Sequence, residues 1–319
     1  NQLNSTKRQC SKVSDIMVNM TPSTRDTGPY HERLPKWFNV PMPGGPSFIK
    51  LANLLKHEQL HTVCEEAKCP NIGECWNSGT ATFMILGDIC TRHCRYCAVT
   101  SGRPLTLDLE EPVRLANTVK RLDLSHCVIT SVNRDDLPDG GSYIFAECIR
   151  QIRRRLPSCQ IEVLIPDFQG DLKAVETVMK ASPDVLNHNI ETVRRIFQRV
   201  RPLGDYDQTL QILSSAKHMY ADAVTKCGLM VGLGEEWDEI VHTMEDLRSA
   251  NCDLITIGQY LRPSPKHEPL HKFYTPEEFS KLQYIGEQMG FLHVASGPLV
   301  RSSYPVSNTH MTLTTILLV

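Results

Sequence analysis

From residue 83 onward, short apolar or β-branched runs alternate with longer segments whose apolar residues recur at helical spacing, and this alternation confines the fold more than any other feature. The strand candidates are FMILG (83–87), HCVITSV (126–132), IEVLIPDF (161–168), VLNHNI (185–190), KCGLMVGL (226–233) and LITIGQY (254–260), with FLHVAS (291–296) as a seventh. Between them, residues 110–122, 142–155, 171–181, 191–199, 207–219, 236–250 and 276–289 carry the helical period. Six or so βα units in succession imply a parallel sheet, either a doubly wound open sheet or a full or partial β/α barrel.

Polar and glycine residues decide between them. Asp88, Asn133 to Asp136, Asp167, Asn187 to Asn189, Gly232, Gly234 and Gln259 each fall at or just after a strand candidate. In a barrel these strand ends converge on one face, where active sites form. An open sheet would keep them apart, so the pattern favours the barrel. The expected architecture is a partial (β/α)6 barrel over residues 81–290. A leader (1–32), a Pro- and Gly-rich N-terminal extension (33–80) and a C-terminal extension (291–319) flank it.

The 319 residues, 41% hydrophobic and 22% charged, are enough for a large core. A formal net charge of -2 gives no global attraction to nucleic acid or to an anionic membrane, and neither is expected as a partner. No apolar run approaches the roughly 20 residues of a membrane-spanning helix. The first 28 residues are polar and lack an apolar secretory core, which points to a loose leader, with an organelle transit peptide as the alternative.

Six of the twelve cysteines lie between residues 64 and 97; Cys10, Cys127, Cys148, Cys159, Cys227 and Cys252 are scattered and read as small buried hydrophobes. A reducing compartment makes the clustered thiols metal or redox groups before disulfides. CTRHCRYC (90–97) has the spacing C-x3-C-x2-C, and CEEAKCPNIGEC (64–75) the spacing C-x4-C-x5-C. Each stops at three, one short of a closed structural zinc site, and His93 is too near Cys94 in sequence to complete a tetrahedron easily. Three cysteines suit a four-iron cubane with one iron left open to a small molecule. The triplets could also combine as zinc ligands or share one cluster.

CTRHCRYC matches the C-x3-C-x-aromatic-C motif of radical S-adenosylmethionine (SAM) enzymes, and CEEAKCPNIGECW resembles the auxiliary-cluster motif of the lipoyl synthase family. The likeness continues through SVNRDDLPDGG, EVLIPDFQGD, VLNHNIETV, GLMVGLGE, LITIGQYLRPS and SGPLVRSSY, over roughly residues 33–304. The resemblance implies two 4Fe-4S clusters. Cys90, Cys94 and Cys97 would hold the one that binds and cleaves SAM. Cys64, Cys69 and Cys75, with Ser303 of RSSY as a labile fourth ligand, would hold the auxiliary one. That second cluster would donate two sulfurs to C6 and C8 of an octanoyl chain on a carrier-protein lysine, so the chain would be a sulfurtransferase in lipoate biosynthesis. Implied partners are an octanoylated carrier (an E2 subunit or H protein), a reduced ferredoxin or flavodoxin, and an iron-sulfur carrier for cluster repair. The cytoplasm is the expected location, an organelle matrix the alternative.

The resemblance also points to Tyr96 against adenine, Ser131 and Asn133 in a methionine-binding segment, Asn187 and Asn189 near the ribose or carboxylate, and Gly232 and Gly234 beneath the adenine. Packing, strand-end capping and turn formation account equally well for such residues. The tail PVSNTHMTLTTILLV departs from the family pattern, directly after the expected serine ligand. Two other readings stand beside this one: another sulfur-inserting radical SAM enzyme, such as a biotin synthase or methylthiotransferase, and a zinc-stabilised binding protein.

Overall fold

The computed structural model describes residues 34–40, 43–58, 60–66, 69–77 and 79–304. The expected leader (1–32) and the atypical tail after Tyr304 lie outside the described residues. The chain divides at Pro35 into two units, and the following concerns the second, which begins at Lys36.

Seven parallel strands form the sheet: β1 (Thr80–Ile85), β2 (His126–Ser131), β3 (Gln160–Leu164), β4 (Val185–Asn187), β5 (Val224–Val231), β6 (Leu254–Gln259) and β7 (His293–Gly297). They pair in chain order, and the two-residue strand His61–Thr62 adds antiparallel to β1 at the edge. The sheet therefore runs as an open succession of βα units, the arrangement of a partial barrel. Helices at Glu111–Leu122, Ser142–Arg155, Leu172–Met179, Arg194–Val200, Tyr206–Met219, Trp237–Ser249 and Pro276–Gln288 fill the connections. Strand residues alternate between two environments. Cys127, Ile129, Ile161, Val163, Cys227, Leu229, Val231, Ile255 and Ile257 belong to two apolar cores shared with these helices. The residues between them, including His126, Glu162, Lys226, Gly228 and Gly258, fall on the opposite face.

Several strands are displaced or shorter than their apolar runs suggest. The first begins at Thr80 and ends before Leu86 and Gly87, whose φ angles of 68° and 92° turn the chain out of the sheet. β3 stops at Leu164, because Phe168 and Gln169 enter a left-handed turn capped by Asp167, which accepts from Gln169 N at 3.0 Å. β4 is only three residues long, and pairing resumes as a single bridge at Glu191. Ahead of β1, short helices at Val63–Glu66 and Ile72–Asn77 carry Cys64 and Cys75, and Cys69 lies between them.

Candidate active site

Cys90 ends a two-residue strand, Ile89–Cys90, that pairs in parallel with Thr100–Ser101 and closes the cysteine loop on itself. Thr91 N donates to the Asn133 carbonyl at 3.0 Å, and Arg95 N to the Val200 carbonyl at 2.8 Å. His267 Nε2 lies 3.0 Å from the Cys97 carbonyl. The loop is thus tied to the segments following β2, β6 and the Arg194–Val200 helix. Cys90 Sγ accepts from Arg92 N at 3.4 Å and Asn133 N at 3.3 Å, contacts of the kind that tune a cluster's sulfur ligands.

Burial pushes the Cys97 thiol up to about 12, with Cys94 and Cys90 adding to the effect. It also raises Cys94, against the opposing pull of Arg201. Such thiols stay protonated unless a metal takes the place of the proton, which suits ligands and not free nucleophiles. Among the described residues the cysteines are free of disulfides, and no three His, Cys, Asp or Glu side chains converge as a single-ion site would require.

Beneath the loop lies a charge cluster that joins two of the strand-end aspartates, Asp135 and Asp167, to two arginines that no motif in the sequence marks. Arg92, between the first two cysteines, is almost wholly buried and forks onto two aspartates: Nε and Nη2 reach Asp135 at 2.8 and 2.9 Å, Nη1 and Nη2 reach Asp167 at 2.5 and 2.7 Å. Arg201 adds a 3.4 Å contact to Asp167 and donates to the Asn189 carbonyl at 2.9 Å. Burial opposes ionisation of Asp167, but Arg92 and Arg201 outweigh it and hold its carboxyl below the ordinary range. The clue was present: a cation inside the cysteine motif, and aspartates at or just after the ends of two strand candidates.

Tyr96 is half-buried against the second core and lies near Glu191, Cys94 and Arg201; burial raises its hydroxyl well above the ordinary value. Ser131 Oγ, Asn189 Oδ1, Asn187 Oδ1 and His188 Nε2 are buried without a hydrogen-bond partner at the ends of β2 and β4. Unmatched buried polar atoms in such number call for a polar ligand or water. Asn133 serves through its backbone, to Cys90 and Thr91. Asn187 directs its amide nitrogen inward, to Glu162 at 2.8 Å and to the Ser302 carbonyl at 3.1 Å. Gly232 and Gly234 both have left-handed φ, but the N–H groups of Gly232 and Leu233 are taken by Glu235 at 2.6 and 2.8 Å, and a Cβ on Gly232 would lie 2.2 Å from Gln259 Nε2. Their freedom serves this turn.

The first triplet forms a second thiol group. Cys69 N donates to the Cys64 carbonyl at 2.9 Å, and Cys75 N to that of Asn71 at 3.0 Å. Burial raises Cys64 to about 11, with Cys69 contributing, and Cys75 to about 12, with Cys69, Cys64 and Glu74 contributing; the three thiols therefore share one neighbourhood. Against them lies the segment 299–304. Asn71 Nδ2 donates to the Leu299 carbonyl at 2.6 Å, Tyr304 Oη contacts Glu74 at 3.3 Å, and Arg301 draws down the thiol of Cys69 against the effect of burial. Tyr304 N donates to the Arg301 carbonyl at 2.8 Å, so Ser302 and Ser303 are the two central residues of a turn. Ser302 Cβ comes within 2.8 Å of where a Cβ on Gly228 would stand, which sets Ser302 on the sheet side.

Residues 84–247 match the model of the radical SAM superfamily, and residues 5–69 that of the N-terminal domain of lipoyl synthase. A lipoyl synthase of Rubrobacter xylanophilus is 56% identical over 85% of this chain and 84% of its own length. Those of Symbiobacterium thermophilum (56%, 85% of each chain) and Chloroflexus aurantiacus (51%, 88% and 90%) are similarly close. Among solved structures, HydG, a maturase of the FeFe hydrogenase, superposes with a TM-score of 0.55 at 15% identity over 78% of this chain and 62% of its own. Streptococcus suis SuiB bound to S-adenosylmethionine gives 0.53 at 10% identity over 78% and 60%. These two bear on the fold, which is that of the radical SAM barrel. By its two cysteine triplets, its barrel and its identity to these relatives over most of their length, the chain belongs to the lipoyl synthase family of radical SAM enzymes.

Proposed function

We propose that this sulfur-inserting enzyme works with two four-iron clusters, one on Cys90, Cys94 and Cys97 and one on Cys64, Cys69, Cys75 and Ser303. When bound, the clusters and SAM supply the electron, the carbon-centred radical and the sulfur that convert an octanoyl-lysine to its lipoyl form, chemistry no protein acid or base can perform. The single observation that carries this reading is the pair of disulfide-free thiol groups, one at the strand ends and the other against the turn that contains Ser303.

The chain's own residues bind and orient. Arg92 and Arg201 hold Asp135 and Asp167 rigid beneath the cysteine loop and so fix Cys90 against Asn133. Ser131 Oγ, Asn189 Oδ1 and His188 Nε2 offer unmatched polar atoms to the amino, carboxylate or ribose groups of SAM, and Tyr96 offers a ring edge to its adenine. Asn133, Gly232 and Gly234 shape the backbone around SAM, and Asn187 holds the C-terminal turn through Nδ2 while its unmatched Oδ1 is left to SAM.

The family acts on an octanoylated carrier protein. We assign the carrier to an E2 subunit or H protein, the electron donor to a reduced ferredoxin or flavodoxin, cluster rebuilding to an iron-sulfur carrier, and the location to the cytoplasm. Among the described residues no helix is long and apolar enough to cross a membrane.

The test is iron and acid-labile sulfide on anaerobically reconstituted protein, wild type against a Cys90/Cys94/Cys97→Ala variant and a Cys64/Cys69/Cys75→Ala variant. About eight irons in wild type and about four in each variant is the expected outcome for two four-iron sites. About four in wild type, with only one triplet mattering, would remove the second cluster as sulfur donor.

A further inference from the structure

The face of the sheet turned away from the helices carries a charge cluster that neither proposed cluster uses. Glu162 of β3 is fully buried, and Lys226 Nζ of β5 meets both its oxygens, at 2.9 and 3.0 Å. His126 of β2 stands 3.7 Å away, and Asn187 of β4 donates at 2.8 Å. Burial opposes the charge on Glu162, but Lys226 and His126 overcome it and keep the carboxylate ionised. A buried ion pair is costly to keep for stability alone, since apolar residues of similar volume usually do as well.

Both donors to Glu162 have a second acceptor, and both of these acceptors lie on the C-terminal turn. Lys226 Nζ donates to the Tyr304 carbonyl at 2.9 Å, and Asn187 Nδ2 to the Ser302 carbonyl at 3.1 Å. These carbonyls flank Ser303 on either side. The sheet is also hollowed to receive the segment. Gly228 and Gly258 occupy positions of β5 and β6 where a Cβ would meet Ser302 Cβ at 2.8 Å and the Val300 carbonyl oxygen at 2.1 Å, and a Cβ on Gly297 of β7 would touch Val300 at 3.3 Å. Only strands without side chains at these points let the segment lie against them.

We propose that Glu162, Lys226 and Asn187, with the trough formed by Gly228, Gly258 and Gly297, are a latch that seats residues 300–304 and thereby positions Ser303 for the auxiliary cluster. They are positioning residues: they hold the peptides on both sides of Ser303 and leave its side chain to the iron. This rests on the reading of Ser303 as the fourth ligand.

The test uses the full chain with Cys90, Cys94 and Cys97 replaced by Ala, reconstituted anaerobically so that the auxiliary cluster is the sole source of signal. Mild oxidation should expel an iron that lacks a thiolate, and the resulting three-iron cluster is read by electron paramagnetic resonance. Lys226→Met removes one arm of the latch, whereas Gly258→Ala fills the trough and leaves every charge in place. Both should speed formation of the three-iron signal about ten-fold, the factor for a loss of one good hydrogen bond's worth of holding. Both should also quicken amide exchange over residues 300–304 while leaving β2 protected, and Lys226→Arg should restore the slow rate. Exchange over β2 separates release of the segment from general unfolding, should Lys226→Met weaken the fold. If Ser303→Ala loses iron fast while Lys226→Met and Gly258→Ala keep the wild-type rate, the latch is overturned and the serine reading stands. If Ser303→Ala also keeps the wild-type rate, Ser303 is not the ligand and the reading itself falls.

Discussion

Arg92 sits among thiols yet turns away from them, its guanidinium spread over Asp135 and Asp167. Removing one partner of a buried ion pair strands the other, so Arg92→Met should cost about 3 kcal/mol in urea unfolding of the apoprotein. It should also lower the iron retained by the Cys90 loop. His188 makes a different demand. Its Nδ1 contacts the Ile165 carbonyl at 2.9 Å, and burial, aided by Arg201, depresses its pKa to about 4. The unfolded chain, with an ordinary histidine near 6.5, binds the proton first, so stability is full above that value and falls as the pH drops toward 4. His188→Gln should therefore shrink the loss of urea stability between pH 7 and pH 5 by about 2 kcal/mol. A loss unchanged by the substitution would mean that His188 titrates normally. In the sequence both residues looked ordinary, one a cation between two cysteines of a motif and the other a histidine at a strand end. Their burial is set by segments from other βα units, Asp135 and Asp167 for Arg92 and Ile165 and Lys226 for His188, and no local pattern records that.

At the level of elements, the helical and strand periods located every βα unit, because residues facing the two cores repeat at 3.6 or at 2. Strand ends were less legible. IEVLIPDF stays apolar past Leu164, where Asp167 and the left-handed Phe168 turn the chain, and apolarity carries no sign of that turn. Helix starts follow local chemistry. Thr275 accepts from Glu278 N at 3.3 Å, and Glu278 accepts in return from Thr275 N at 2.8 Å, a reciprocal cap on the Pro276–Gln288 helix. Thr275→Ala should cost about 1 kcal/mol of stability by thermal or urea unfolding and leave the iron content unchanged. Charged residues within strands were the missed signal. Glu162 in IEVL and Lys226 in TKCGL interrupt apolar runs at alternating positions, which marks the face away from the helices, but their pairing with each other and with the C-terminal turn is a matter of three-dimensional fold.

For the molecule as a whole, the cysteine spacing made both thiol groups legible, whereas the seat of the C-terminal turn was not. That seat draws on β4, β5, β6 and the loop at Asn71, which no spacing rule connects. The first apolar core takes in Cys64 and Trp76, whereas Cys69, Ile72 and Cys75 only pack against its edge and are otherwise held by a few hydrogen bonds. Stripping iron with a chelator should therefore accelerate amide exchange at Cys69, Ile72 and Cys75 and leave β2 and β5 protected, as measured by mass spectrometry. Equal loosening of the barrel strands would show that the metal supports the whole fold.

Asn71 and Leu299 meet across 228 positions of sequence. On the ribosome the first cysteine triplet and most of the barrel emerge long before residues 299–304, and domains condense from the N-terminal side as they appear. The Cys90 pocket can then mature during synthesis, whereas the pocket at Cys64 gains its closing turn only when translation is nearly over. A polypeptide released early would have one mature pocket and one permanently open. With the second pocket holding a cluster as proposed, whatever loads its iron and sulfide would meet there a physical record that synthesis had reached Tyr304.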